Sequence, residues 1–316
     1  MSFTPLHQHD DDSDREPTDR EAFTPGIEPQ ATWCPGCGDF GVLKALKGAM
    51  GDLGYTPEEV LLVTGIGCSG KLSSYFESYG FHSIHGRSLP VARAAKLANP
   101  GLEVVAAGGD GDGYGIGGNH FIHTARENHD MTYIVFNNEI FGLTKGQTSP
   151  TSPMGHKSKT QPHGSAKAPI RPLSLSLVGG ASYVARTAAV NPNQAQEILK
   201  EAIQHDGFAH VDFLTQCPTW NKDAKQYVPY VDVQQSDDYE FDHHDRREAS
   251  EMMHDVEDAL HEGEVLTGRF YHDPDRPSYQ QEKREHGDVP EDPLAERYHD
   301  DDAEWERSYD LMDAHK

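Results

Sequence analysis

Two of the four cysteines in this 316-residue chain stand three positions apart, Cys34 and Cys37 in the run TWCPGCGDF, while Cys68 and Cys217 stand singly. A Cys-x-x-Cys pair serves as a redox disulfide, as half of a zinc site or as half of an iron–sulfur site. Four thiolates suffice for a zinc ion or for a cubane cluster. Zinc sites more often join two such knuckles, so single placement of Cys68 and Cys217 favours iron–sulfur on spacing and ligand softness. The bland alternative for a lone cysteine such as Cys217 is a small apolar core residue.

A second group of residues points to phosphate chemistry. The run GGDGDGYGIGGNH, residues 108–120, follows an apolar stretch and opens a helical pattern. Gly109 and Gly111 let the backbone approach a phosphate, and a helix N-terminus offers free amides. Such a turn is weak evidence on its own, because nucleotide folds of many kinds have one. Asn138 follows Asp110 by 28 residues, at the end of the next apolar run. One carboxylate and one amide oxygen, brought to the same sheet edge, are hard ligands for Mg²⁺ on a diphosphate, and the Ile140 carbonyl completes the set. Asp112 is able to exchange roles with Asp110. Gly67, Ser69 and Gly70 offer amides and a hydroxyl to diphosphate oxygens, although a plain turn explains the glycines equally well.

The elements that must position these groups alternate. Strand patterns cover 59–68, 102–109, 131–138 and 208–217; helical patterns cover 87–101, 118–129 and 191–207. Ser88 reads as a helix cap, and Gly207 as a helix stop. This alternation implies an α/β fold, a doubly wound, mostly parallel sheet with its ligand crevice at the carboxyl ends of the strands. Cys68, Asp110, Asn138 and Cys217 are each expected at such an end. Residues 145–176 read as a long functional loop. A helix over 247–261, with Met252, Val256 and Ala259 or Leu260 at helical spacing, reads as a packing or docking element without chemistry.

These strings together resemble the beta subunit of the 2-oxoacid:ferredoxin oxidoreductases, the family of pyruvate synthase and 2-oxoglutarate synthase. The resemblance runs from TWCPGCGDFGVLKAL through GIGCSGKLSSYF, GFHSIHGRSLPVARAAKLANP and YIVFNNEIFGLTKGQTSPTSP to TQCPTWN, about residues 30–221. It implies the thiamine diphosphate-binding fold, with Mg²⁺ held by Asp110, Asn138 and Ile140; that register prefers Asp110 over Asp112. It implies one [4Fe–4S] cluster on Cys34, Cys37, Cys68 and Cys217. The reaction implied is coenzyme A-dependent oxidative decarboxylation of a 2-oxoacid, pyruvate or 2-oxoglutarate, with electrons leaving through the cluster to ferredoxin. An alpha subunit is implied to supply the second thiamine-binding domain in an αβ heterodimer, itself paired again. His85 and Arg87 in the HGR turn are candidates to face cofactor or substrate carboxylate, with a helix-start contact as their alternative. Thr144, Lys145 and Gln147 resemble the family's substrate-side loop. Two other readings stay open on the residues: a thiamine-dependent decarboxylase subunit without electron transfer, and a zinc-stapled interaction protein.

Charge divides the chain into three parts. Of the net −25, residues 1–30 carry −6 and residues 232–316 carry −19, while residues 31–231 are neutral. The expected organisation is an acidic N-terminal extension (1–30), a cofactor domain (31–231) and an acidic C-terminal extension (232–316). The flanks read as a high-salt adaptation or as solvated tails. Both argue against a nucleic-acid partner, which needs clustered Lys and Arg. No apolar run reaches membrane-spanning length and the start lacks a secretion pattern, so a cytoplasmic protein with reduced thiols is expected. None of the 19 histidines reads as a metal ligand.

Overall fold

The computed structural model describes residues 15–26, 31–221 and 230–286. In chain order its elements are α1 (Asp39–Asp52), β1 (Val60–Thr64), β2 (Tyr79–His82), α2 (Ser88–Ala98), β3 (Glu103–Gly109), α3 (Gly118–Glu127), β4 (Met131–Asn137), β5 (Ile140–Phe141) and β6 (Gln147–Thr148). There follow α4 (Pro172–Gly179), β7 (Tyr183–Ala188), α5 (Pro192–Ile203), β8 (Phe208–Leu214), β9 (Tyr230–Asp232), α6 (Arg246–Glu262), β10 (Val265–His272) and α7 (Tyr279–Glu285). Eight strands form one sheet in the order β2-β1-β3-β4-β8-β7-β10-β9, and β5 pairs with β6 separately. The pairings from β2 to β7 are parallel, and β10 runs antiparallel to β7.

Strand alternation divides the core. Val105 and Ala107 of β3, with Ile134 and Phe136 of β4, face α1 and α5, packing on Leu46, Met50 and Leu199. Val104, Ala106, Tyr133 and Val135 face the other way, against Phe121, Leu173 and Met253. Both faces are dry, as a parallel sheet between helix layers requires. Among the described residues no helix is long and apolar enough to cross a membrane.

The order β1-β3-β4-β8 puts four carboxyl ends side by side, which concentrates the candidate site. Asp110 and Asn138 directly follow β3 and β4. Cys68 and Cys217 do not end strands as expected: β1 stops at Thr64 and β8 at Leu214, so each cysteine lies three or four residues further out. Gly65 and Thr215 each make one more bond to the neighbouring strand, and beyond them the chain leaves the sheet.

Other boundaries shift for local reasons. Ser88 is the first residue of α2 and caps nothing; the cap position is Arg87. Helix α5 stops at Ile203, before Gly207, with the Asn191 side chain capping its start. The long loop contains β6, which pairs back with β5, and gives way to α4 at Pro172, whose fixed φ suits a first helical turn.

The boundary at 231/232 does not follow the fold. Helix α6 and strand β10 lie in the acidic C-terminal segment yet complete the sheet and bury Ala249, Met253, Val256 and Phe270. The fully buried stripe of α6 is Ala249–Met253–Val256, and the expected Met252, Ala259 and Leu260 pack partly buried at its edges. Composition misled here because acids on the solvent face dominate a half-buried helix. In the N-terminal segment, Phe23 is likewise fully buried and stacks on Phe76. Expectations for residues 1–14 and 287–316 fall outside the described residues.

Candidate active site

At the rim a cavity of about 200 Å³ is lined by Gly67, Ser69, Asp110, Asn138, Ile140 and Thr144. Cys68, His85, Gly109, Gly111 and Asp112 also face it. A larger groove of about 590 Å³, between α5 and Gln234–Arg269, is wide and holds none of the expected residues.

Asp110 is 3% exposed. Its Oδ2 accepts from Ser149 Oγ at 2.5 Å and Thr151 Oγ1 at 2.6 Å. Burial pushes its carboxyl up to about 6, against the pull of those hydroxyls. Asn138 Oδ1 accepts from the Ile140 amide at 3.1 Å, and its carbonyl accepts from Asn221 Nδ2 at 2.9 Å. Between them Glu139 is held at φ 59°, a left-handed conformation that costs a non-glycine residue energy and tends to occur at functional turns. The donor set here is a carboxylate, an amide oxygen and a main-chain carbonyl, which fits a hard cation such as Mg²⁺. Ser69 Oγ is buried without a partner and lies 3.3 Å from where a Cβ on Gly109 would sit. An unfilled hydroxyl beside a bare glycine backbone fits a phosphate oxygen.

Asp112 has a different position from the one expected of a metal ligand. Its Oδ1 accepts from the Ile66 amide (3.0 Å), the Gly86 amide (2.8 Å) and His85 Nδ1 (2.7 Å). It ties the β1 exit to the turn before α2 and orients His85, whose ring packs edge-on to Phe141. A Cβ on Gly65 would collide with the Asp112 carboxylate, so this approach requires glycine.

The four cysteines are brought to one side of the same rim. Trp33 Nε1 donates to the Cys68 carbonyl at 2.8 Å, and the Gly38 amide donates to the Gln216 carbonyl at 3.0 Å. These two bonds carry the Cys34–Cys37 turn from the N-terminal side to Cys68 and Cys217. A Cβ on Gly142 would lie 3.5 Å from Cys68 Sγ and 3.7 Å from Cys217 Sγ, so both sulfurs flank that backbone. Cys68 lies within electrostatic range of Cys34, Cys37 and Cys217. Burial, then Asp39, pushes the Cys68 thiol up to about 11 and the Cys37 thiol higher still.

Among the described residues no three or more His, Cys, Asp or Glu side chains form a group that could hold a metal ion. Zinc on four thiolates would need its sulfurs roughly 3.8 Å apart, from a Zn–S length near 2.3 Å. A cubane carries each thiolate on a separate iron and spaces its ligands more widely. The two sulfurs beside Gly142 and the two of the Cys34–Cys37 turn supply the four thiolates that either group needs.

Some expected residues are not gathered. The Arg87 guanidinium turns back to the Gly86 carbonyl at 3.1 Å, outside the cavity, because the α2 start points it away. Lys145 is exposed at φ 79°, and the Gly70 carbonyl faces Thr64 and His82. Gln147 pairs with Thr144 at the cavity mouth.

Six contributors, in three groups, escaped the sequence. Asp39 is fully buried beside Cys37, and burial pushes its carboxyl up to about 7. At the head of α1 it reads as an ordinary first-turn acid. Phe136 and Phe141 supply apolar wall. Ser149, Thr151 and Ser152 come from the polar loop, where no periodicity marks them.

Residues 65–213 match the thiamine pyrophosphate enzyme C-terminal TPP binding domain, so the sheet and its rim are those of a thiamine-enzyme domain. The chain is 48% identical over 191 residues to the 2-oxoacid:ferredoxin oxidoreductase subunit beta of Saccharolobus solfataricus, covering 60% of this chain and 63% of that protein. It is 44% identical over 211 residues to the beta subunit of 2-oxoacid:ferredoxin oxidoreductase 2 of Aeropyrum pernix, covering 65% and 68%. Its fold superposes on 2-oxoglutarate:ferredoxin oxidoreductase from Magnetococcus marinus, solved with 2-oxoglutarate, coenzyme A and succinyl-CoA bound. That match has a TM-score of 0.77 and 34% identity, over 90% of this chain and 94% of that one. The chain belongs to the family of 2-oxoacid:ferredoxin oxidoreductase beta subunits. The stretch matched to the Saccharolobus subunit spans just under two thirds of that protein's length.

Proposed function

We propose that this chain is the cofactor-bearing subunit of a complex that converts a 2-oxoacid and coenzyme A to acyl-CoA, carbon dioxide and reduced ferredoxin. One observation carries the reading. Ile140 lines the diphosphate side of the cavity, and Gly142, two residues on, sits between the Cys68 and Cys217 sulfurs. Two residues span at most ~7 Å of chain, so carbon chemistry and electron exit share one short turn.

Asp110, Asn138 and the Ile140 carbonyl are assigned to Mg²⁺; Gly67, Gly109, Gly111 and Ser69 to the diphosphate; Cys34, Cys37, Cys68 and Cys217 to one [4Fe–4S] cluster. Bound there, thiamine diphosphate supplies the electron sink for decarboxylation and the cluster a one-electron outlet. Asp112 Oδ1 accepts from His85 Nδ1 and so orients the ring, which leaves Nε2 to exchange a proton at the cavity. Phe136, Ile140 and Phe141 keep water from that space. Thr144 stands at the entrance for substrate.

An alpha subunit supplying the second thiamine-binding surface is the natural partner, and the edge strand β2 leaves Tyr79 and Phe81 exposed beside Ile84. A reducing cytoplasm suits four unpaired thiols. The acid bound by the Magnetococcus enzyme makes 2-oxoglutarate the first substrate to test and pyruvate the comparison.

Anaerobic co-purification with the partner, followed by absorption, iron, sulfide, zinc and thiamine assays, tests the proposal. Brown protein with four irons per chain, bound thiamine diphosphate and acid- and CoA-dependent viologen reduction are expected. Colourless protein that releases aldehyde would establish the non-oxidative decarboxylase instead. Zinc without thiamine would establish the interaction protein.

A further inference from the structure

The turn Ser149–Ser152 reaches into the site, and the proposed chemistry gives its hydroxyls no role. Ser149, Thr151 and Ser152 are buried, at 8%, 3% and 2% exposure. Thr151 Oγ1 lies 2.6 Å from Asp110 Oδ2 and 2.9 Å from Asn137 Oδ1. Ser149 Oγ donates to the same Asp110 oxygen at 2.5 Å. Ser152 Oγ donates to the Glu139 carbonyl at 2.5 Å and accepts from the Ser149 amide at 2.8 Å. The turn thus grips all three links of the cation-binding edge: the carboxylate after β3, the last residue of β4 and the left-handed residue between Asn138 and Ile140.

Its far side is anchored in the sheet. Asn137 Nδ2 donates to Asp212 Oδ1 at 3.1 Å, and Arg186 Nε holds Asp212 Oδ2 at 2.8 Å. The Ile170 amide returns to the Pro150 carbonyl at 2.8 Å, so residues 151–169 are closed off by the same turn. Pro150 lies within it and Pro153 follows it, and both restrict its alternatives.

We propose that this turn is a clasp, with Thr151 the positioning residue that couples occupancy of the diphosphate site to seating of the 143–171 loop. The proposal rests on the cofactor assignment made above. A Thr hydroxyl has one proton for two acceptors, so the position of Thr151 answers to both strand ends at once. Coupling of this kind is reciprocal: a cation that fixes Asp110 seats the loop, and a seated loop holds Asp110 for the cation.

The test uses the full-length chain co-purified with its partner subunit, the unaltered and variant chains being compared in that complex. Mg²⁺-dependent thiamine diphosphate binding is measured by calorimetry, and tryptic cutting at the exposed Lys157, Lys159 and Lys167 is timed with and without cofactor. In the unaltered chain, Mg²⁺ and thiamine diphosphate are expected to slow cutting. Thr151→Val is expected to weaken binding about tenfold or more, the scale set by stripping a donor from a buried acceptor, and to abolish the slowing. Thr151→Ser is expected to restore both. Should Thr151→Val fail to fold, Ser152→Ala removes the grip on Glu139 together with the bond from the Ser149 amide, leaves Thr151 in place and is read the same way. A foldable variant with unchanged affinity, or cutting indifferent to cofactor in the unaltered chain, overturns the clasp. Absence of binding by the unaltered chain overturns the diphosphate assignment itself.

Discussion

His85 Nδ1 stands 2.7 Å from Asp112 Oδ1, and the same oxygen receives the amides of Ile66 and Gly86. One carboxylate oxygen therefore sets both the local backbone and the orientation of a cavity imidazole. Asp112→Ala strands two buried amide donors, each worth about 1–3 kcal/mol, and lowers the melting temperature. Asp112→Asn keeps an acceptor oxygen but loses the charge behind His85, so turnover is expected to fall roughly 10–100-fold with the fold intact, as for other orienting partners. Thermal melts and steady-state rates on the two variants check this. Full stability in Asp112→Ala would contradict the tethering role.

Cys217 is 9% exposed and shares the Gly142 backbone with Cys68. Cys217→Ala is expected to remove most iron and visible absorption while thiamine diphosphate binding persists, since Asp110 and Asn138 are untouched. Iron content equal to the unaltered chain would show that Cys217 is a core residue and no ligand.

Arg186 and Asp212 form an ion pair with both partners at 1% exposure or less, beneath the site. Tyr114 and Asn137 also donate to Asp212. Asp212→Ala leaves the Arg186 charge buried without its partner, and a loss of about 3–5 kcal/mol is expected. Urea denaturation measures it; a loss below about 1 kcal/mol would mean the charge finds another partner.

His129, His205 and His210 are each held down to about 4 by burial. Between that value and the ordinary ~6.5 the unfolded chain binds protons that the folded chain does not, so these groups weaken the fold as pH falls through that window. Buried Asp39, Asp110 and Glu139, raised to about 7, 6 and 7, act in the opposite sense and favour the fold at lower pH. Histidine NMR separates the effects: the three imidazole signals are expected to stay unshifted from pH 7 to 5 and to titrate near 6.5 in urea. Titration near 6.5 in the folded protein would show them to be solvated.

The strand–helix alternation was legible in the chain because apolar periodicity reports which face is buried, and β3, β4 and β8 fall within a few residues of their expected spans. The Asp110–Asn138 pair was legible for the same reason: both lie directly beyond strands with strong patterns. The function of Asp112 was not, because nothing in GDGDG distinguishes a carboxylate that meets solvent-side ligand from one that receives three bonds behind it. The C-terminal flank was misjudged by charge, since α6 and β10 bury one face each and net charge averages over both.

The types and order of the site residues were set by the sequence by itself: four cysteines, a Gly-Asp-Gly turn and an Asn 28 positions on. What only the tertiary structure decided was adjacency. Neighbouring β1, β3, β4 and β8 place their exits together although the chain visits β5, β6 and β7 before β8. The Trp33 and Gly38 bonds then carry Cys34 and Cys37 to that edge, and the 149–152 turn closes on Asp110 through hydroxyls that no periodic pattern marks. Periodicity encodes burial along one element; hydrogen bonds between residues far apart in the chain depend on which elements become neighbours, and sheet order is settled by packing of the whole domain.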